Sequence, residues 1–120
     1  MLKSLQEESF RTVMLATDLT EGISENADKK SAFLRAVTTA SRLVHKIDCS
    51  SIASNINTIT CFLDASTYYT EALIWLNFFV SEGLIPPERA RELTLSCNSM
   101  LKSIKEITEQ IRKDTQGTFF

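Results

Sequence analysis

His45 is the single histidine of the chain, so any histidine-based catalysis or metal site has to use it. A carboxylate-bridged di-metal bundle needs Glu-x-x-His pairs on facing helices, and the sequence has none. Cys49, Cys61 and Cys97 are odd in number, far apart and form no CxxC pair. That speaks against zinc and dithiol chemistry and for reduced, buried thiols. Ser and Thr are plentiful, but no nucleophile has a base and an orienting acid implied by spacing. No Gly-rich phosphate loop occurs. The expectation is a protein without catalysis, cofactor or metal.

One sharper chemistry needs weighing. Histidine phosphotransfer helices carry an exposed His followed by x-Leu-Lys-Gly-Ser. Here "HKIDCSS" keeps the hydrophobic residue and a Ser, but Asp48 and Cys49 stand where Lys and Gly belong. Losing the cation beside a phosphoryl group removes its charge stabilisation. The stronger reading of His45 is a polar side chain in the last turn of a helix, where its charged form suits the dipole.

A basic stripe is the other candidate. Arg35, Arg42 and Lys46 are spaced by seven and four residues and so share one helix face, with Thr38, Thr39 and His45 beside them. Such a stripe could track phosphates. It could equally pair with an acidic neighbouring helix, and charge runs are more often solvated or paired faces. Lys102, Lys105, Arg112 and Lys113 form a second cluster, diluted by Glu106 and Glu109 and read as favourable charge near a helix C-terminus. The net charge of −2 argues against indiscriminate nucleic-acid binding by the whole surface.

These residues need elements to hold them. A chain of 120 residues makes about one domain. Its three Gly and two Pro leave few turns, which favours a few long helices over a many-stranded sheet. The opening "MLKSLQEESF" has two glutamates where a signal peptide needs an apolar run, and no apolar run approaches the roughly 20 residues of a membrane span. A soluble, cytoplasmic protein without membrane contact is expected.

Periodicity predicts four helices, an all-α antiparallel up-down bundle over residues 1–113. The first covers residues 2–19, with Leu5, Phe10, Val13, Met14 and Thr17 on one side. The second covers 29–47, where Phe33, Val37, Ala40, Val44 and Ile47 form a heptad seam. Ser50 or Ser51 then offers an N-cap to a third helix over 52–82. Its first half is rich in β-branched residues, but Ile52, Ile56, Ile59, Leu63, Ser66, Thr70 and Leu73 step by threes and fours, so a helix with a frayed or kinked start is predicted over a strand. Gly83 suits the C′ position, Pro87 the first turn of the fourth helix, and Glu88 its dipole. Ala90, Leu93, Cys97, Met100, Ile104, Ile107 and Ile111 mark that helix. Residues 114–120 lack periodicity and read as a mobile tail.

Charge divides these segments. Residues 1–28 hold Lys3 and Arg11 against Glu7, Glu8, Asp18, Glu21, Glu25 and Asp28. Residues 29–48 hold five cations and only Asp48, while 49–85 contain no Lys or Arg at all. A helix with so few charges is expected to be the central one, with "EALIWLNFFV" at 71–80 its most deeply covered part. That stretch is apolar almost all round. Leu73, Leu76, Phe79 and Val80 can satisfy a bundle core, which leaves Ile74 and Phe78 outside with Trp75 and Tyr68 at the edges. Two such side chains in water forgo about 1.5–3 kcal/mol each. A contiguous exposed aromatic patch usually marks an interface. Tyr68, Ile74, Trp75 and Phe78 are therefore the expected self-association surface, the alternative being that the first helix or the tail folds over it.

The stretch "TEALIWLNFFVSEGLIPPERARELTLSCNSMLKSIKEITEQIRK" at 70–113 resembles the four-helix bundle protein family first noticed in intervening sequences of large-subunit ribosomal RNA genes. The resemblance rests on Trp75-Leu76, Gly83-Leu84-Ile85, Leu93, Leu101, Ile104 and Ile107. It covers about the last fifty residues well and the rest in helix layout. The same group includes the accessory protein of diversity-generating retroelements. The resemblance implies an antiparallel four-helix bundle assembling as a barrel-shaped homopentamer, in a scaffold or accessory role toward protein or nucleic-acid partners. At 51–56, "SIASNI" echoes the Ser-Ile-x-x-Asn-Ile-Ala-Glu-Gly run of many members, with Asn57-Thr58 in place of Ala-Glu. The accessory proteins are markedly basic, whereas this chain is slightly acidic.

Overall fold

The computed structural model describes residues 2–47 and 55–119, and its elements are four helices: α1 (Leu2–Thr20), α2 (Ala27–Lys46), α3 (Asn55–Ser81) and α4 (Pro87–Phe119). Contacts run from α1 to α2, α2 to α3 and α3 to α4, and α4 returns to α1; among the described residues no close backbone approach crosses either diagonal, though Ser9 and Thr12 of α1 reach Tyr69 of α3 through the core. Helices of this kind form a square antiparallel up-down bundle, and the long axis of 55 Å over a section of 20 × 19 Å agrees with it. No described helix is long and apolar enough to cross a membrane.

The α2 seam is built as its spacing predicts. Phe33, Val37, Ala40, Val44 and Ile47 are all buried, and Phe33 meets Phe79 of α3 edge-to-face at 5.6 Å. From α4, Ala90, Leu93, Cys97, Met100 and Ile104 are buried, with Ile107 and Ile111 half-buried at its far end. The turn between α3 and α4 closes in a Schellman arrangement. Gly83 has φ 73°, its N–H donates to Val80 O at 3.0 Å, and the Leu84 N–H donates to Phe79 O at 2.9 Å. Pro86 O accepts from Arg89 and Ala90 as α4 starts at Pro87.

Two faces differ from their expected orientation. On α1 the buried set is Leu5, Ser9, Thr12, Ala16, Leu19 and Thr20, while Phe10, Met14 and Thr17 are exposed and Val13 is half-buried. The hydroxyls make this inward face workable. Ser9 Oγ donates to Gln6 O at 2.7 Å, Thr12 Oγ1 to Ser9 O at 2.6 Å and Thr20 Oγ1 to Ala16 O at 2.9 Å. Each satisfies itself on its own helix and can then enter the core without a desolvated donor. On α3 the buried line is Phe62, Ala65, Tyr69, Ala72, Leu76 and Phe79. The Leu63, Ser66, Thr70 and Leu73 track lies off that line: Leu63 and Thr70 are exposed, Ser66 and Leu73 half-buried. The two alanines admit close approach by neighbouring helices, so the core follows small residues where bulk alone suggests another register.

Centrality of α3 is overturned too. In a ring of four, α3 borders α2 and α4, and no other described helix lies over its outer side. Within 71–80, Ala72, Leu76 and Phe79 are buried while Glu71, Ile74 and Asn77 face out. The expected N-cap at Ser50 or Ser51 and the start of the third helix near Ile52 fall outside the described residues. α4 carries on to Phe119, past residue 113, where periodicity stops.

Candidate interface on the outer wall of α2 and α3

The apolar α3 residues proposed as a surface separate into two kinds. Ile74 is 63% exposed, the most open large hydrophobic side chain among the described residues. Tyr68 is exposed at the α2 edge, in a shallow groove with Thr39, Leu43, Asp64, Thr67 and Glu71. Trp75 and Phe78 are half-buried and packed on the core. Their rings meet edge-to-face at 6.1 Å, Phe78 also meets Phe79 at 5.7 Å, and Lys29 Nζ covers Phe78 from α2 at 4.7 Å. Ile74 is thus the centre of the exposed wall, and Trp75 and Phe78 are its support.

Leu63 extends that wall. It is 45% exposed and lines a second shallow depression with Ser66, Thr67, Thr70, Glu71 and Ile74. Its spacing had placed it in the seam, and the signal that reassigns it is the parallel Phe62, Ala65, Tyr69 track one residue earlier.

Arg35, Arg42 and Lys46 are all exposed on α2. On α1, Arg11 pairs with Glu8 at 4.0 Å and with Glu92 of α4, and among the described residues the stripe has no acidic partner on α1. Orientation explains this. The α2 face toward α1 carries Ser41, whose Oγ donates to Ser9 Oγ at 3.3 Å, and Gln6 Nε2 of α1 donates to Val44 O. The stripe points away from that seam. His45 is exposed beside Lys46 in the last turn of α2.

The interior holds the groups with shifted ionisation. Cys97 is buried, and desolvation followed by the nearby Glu8 carboxylate pushes its thiol up to about 12. Burial likewise raises Tyr69, whose hydroxyl has no hydrogen-bond partner among the described residues. Ser9 and Thr12 of α1 are its polar neighbours, and both give their protons to carbonyls of their own helix. Glu8 accepts from Ser96 Oγ across the α1–α4 seam, which Ser4, Ser99 and Ser103 make polar. Cys61 is half-buried and Cys49 lies outside the described residues. Among the described residues no group of three His, Cys, Asp or Glu is placed to hold a metal ion.

Comparison of the chain with family models, with curated proteins and with solved structures finds no match.

Proposed function

We propose that this chain is a non-catalytic, self-associating helical bundle, a cytoplasmic scaffold or accessory protein whose first partner is another copy of itself. The observation that carries this reading is the exposure of Ile74 on a wall of α3 that also opens Leu63 and belongs to a stretch, 49–85, without one cation. Apolar area of this kind is rare on a monomeric surface unless it serves a contact. Recovering it stabilises an interface by about 25 cal/mol per Å² of apolar surface removed from water. The resemblance noted above adds a barrel-shaped homopentamer as the form to expect, with further protein partners docking on the assembly.

Sedimentation velocity on the wild-type chain and on Ile74→Glu tests this. The wild type should sediment as an oligomer and Ile74→Glu as a folded monomer. A wild type that stays monomeric across the concentration range removes the reading.

A second reading, a nucleic-acid-binding accessory, draws on three exposed cations, Arg35, Arg42 and Lys46, that have no ion-pair partner among the described residues. Asp64 and Glu71 border the groove on the α3 side of that stripe and would repel a phosphate backbone there. Binding, if present, should fall steeply with salt and vanish when the three cations are replaced by Ser. Binding unchanged by that replacement removes this second reading.

A further inference from the structure

Side-chain hydrogen bonds are spread unevenly over the seams of the bundle. Four of them tie α1 to its neighbours. Gln6 Nε2 donates to Val44 O at 3.4 Å and Ser41 Oγ of α2 to Ser9 Oγ at 3.3 Å. On the other side, Ser96 Oγ of α4 donates to Glu8, and Arg11 donates to Glu92. Two of these are long and the Arg11–Glu92 pair is exposed at both ends, so each link is weak singly. The inward face of α1 adds little apolar area. Leu5 and Leu19 are its large buried side chains, beside Ser9, Thr12, Ala16 and Thr20. Phe10 and Met14 face solvent and do not hold the helix in place. The other three helices are joined by bulk. Phe33 on α2, Leu76 and Phe79 on α3, and Leu93 and Met100 on α4 are fully buried, and such burial is the dominant favourable contribution to packing.

The segment between α1 and α2 is fastened at its far side. Ile23 is buried, and its carbonyl accepts from Lys30 Nζ of α2 at 3.2 Å. Glu21 and Gly22 lie between that anchor and the end of α1. Both are exposed, and a Cβ on Gly22 would meet nothing within 4 Å.

We infer that α1 is a strap, latched by polar contacts, that swings out about Glu21–Gly22 as one unit while α2, α3 and α4 stay packed. Hinges of this kind are a few element-terminal residues that absorb the backbone change. Release uncovers Ser41, Tyr69, Cys97 and Met100, which lie beneath Leu5, Glu8 and Ser9 of the closed strap. The other terminal helix does not play this part. Leu93, Met100 and Ile104 sink α4 into the core, and the Leu84 and Ile85 N–H groups both donate to Phe79 O and clamp its approach to α3. The opening is internal to one chain and independent of self-association.

Thiol labelling at concentrations too low for association tests it. In a chain with Cys49→Ser and Cys61→Ser, Cys97 reports opening above α4. Adding Cys97→Ala and Ser41→Cys moves the thiol to the α2 side of the same strap. Relative to the same chains unfolded in urea, both thiols should react with a disulfide reagent at similar rates. Ser96→Ala with Glu92→Gln should speed labelling of the Ser41→Cys chain roughly tenfold. Phe78→Ala, which weakens the α2–α3 seam, should leave both rates within about twofold, because that seam stays closed when the strap opens. Labelling that accelerates as much with Phe78→Ala as with the latch variant means that whole-chain unfolding exposes the thiols, and the strap is overturned. A Ser41→Cys thiol that stays protected while Cys97 reacts makes α4 the moving helix and overturns it as well. Should the Ser41→Cys chain fail to fold by circular dichroism, deuterium uptake of the wild type takes its place. The α1 amides should then exchange together and ahead of those at 93–104, and equal rates overturn the inference.

Discussion

Lys29 Nζ on α2 sits 4.7 Å above the ring of Phe78 on α3. The ammonium covers the open side of an aromatic ring whose other neighbours are Trp75 and Phe79. A cation in this position stabilises by about 0.5–1 kcal/mol. The contact fastens α2 to α3 near the start of α2 and keeps Phe78 part of the fold. Ile74, one turn before it on α3, has no such cover. The two residues should therefore respond differently to truncation. Phe78→Ala should lower the unfolding free energy by about 2 kcal/mol, below the full cost of a completely buried Phe. Ile74→Ala should change it by no more than about 0.5 kcal/mol at concentrations too low for association. Urea denaturation followed by circular dichroism reads both.

Tyr69 is fully buried, and its hydroxyl is unpartnered among the described residues. An unsatisfied buried hydroxyl costs about 1–3 kcal/mol, and removing it leaves the ring packing in place. Tyr69→Phe should raise stability by about 1 kcal/mol, a gain of about 4 °C in Tm for a chain of this size. A clear loss of Tm on thermal denaturation would show that the hydroxyl makes a stabilising bond.

Alkaline pH should destabilise the bundle through its interior. The Cys97 thiol is raised from an ordinary 9.0 to about 12. Below pH 9.0 it is protonated in both the folded and unfolded chain, and its contribution to stability is fully present. Above that, the unfolded chain releases a proton that the folded chain holds, so stability falls as pH rises toward about 12. Tyr69, also raised by burial, adds to the loss from its own ordinary value of 10.0 upward. Tm measured between about pH 8 and 11 should decline, and Cys97→Ala should make the decline shallower even though it lowers the starting value.

Gly83 adopts φ 73°, and a Cβ placed there would meet nothing within 4 Å. Any cost of substitution is therefore backbone strain alone. Gly83→Ala should destabilise by about 1–2 kcal/mol with no change in structure or association. Gly83→Asn, which tolerates the left-handed region, should recover part of that loss. Equal unfolding midpoints for wild type and Gly83→Ala would contradict the role given to this turn.

What the sequence disclosed followed side-chain bulk. α2 was readable because Phe33, Val37 and Val44 are large and leave one choice of inward face. The α4 seam was readable for the same reason, and Gly83 and Pro87 marked the turn between α3 and α4 through backbone rules independent of packing. α1 was misjudged because its inward residues include Ser9, Thr12 and Ala16, while the bulkier Phe10 and Met14 face out. Apolar mass there faces outward, and small hydroxyls line the core. In α3 the choice between two tracks one residue apart depended on Ala65 and Ala72, which hydrophobicity alone ranks too low. Ile74 was correctly placed outward because Leu76 and Phe79 already saturate the opposite side. Trp75 and Phe78 could not be told from it by pattern, since their partial cover comes from packing across helices and, for Phe78, from Lys29, far away in sequence.

The cyclic order of helix contacts also governs how the chain finds its structure. Three of the four seams join consecutive helices, so most native contacts are short-range along the chain and folding should be fast, in the microsecond to millisecond range. The exception is the seam between α1 and α4, where Ser96 reaches Glu8 and Arg11 reaches Glu92 across separations of 88 and 81 residues. Closing that loop carries the largest entropy cost of the four, and the seam that closes it is lined by Ser4, Ser99 and Ser103. The α1–α4 seam is then the last to close and the first to open, and amides of the two terminal helices should exchange with solvent ahead of those in the middle of α2 and α3.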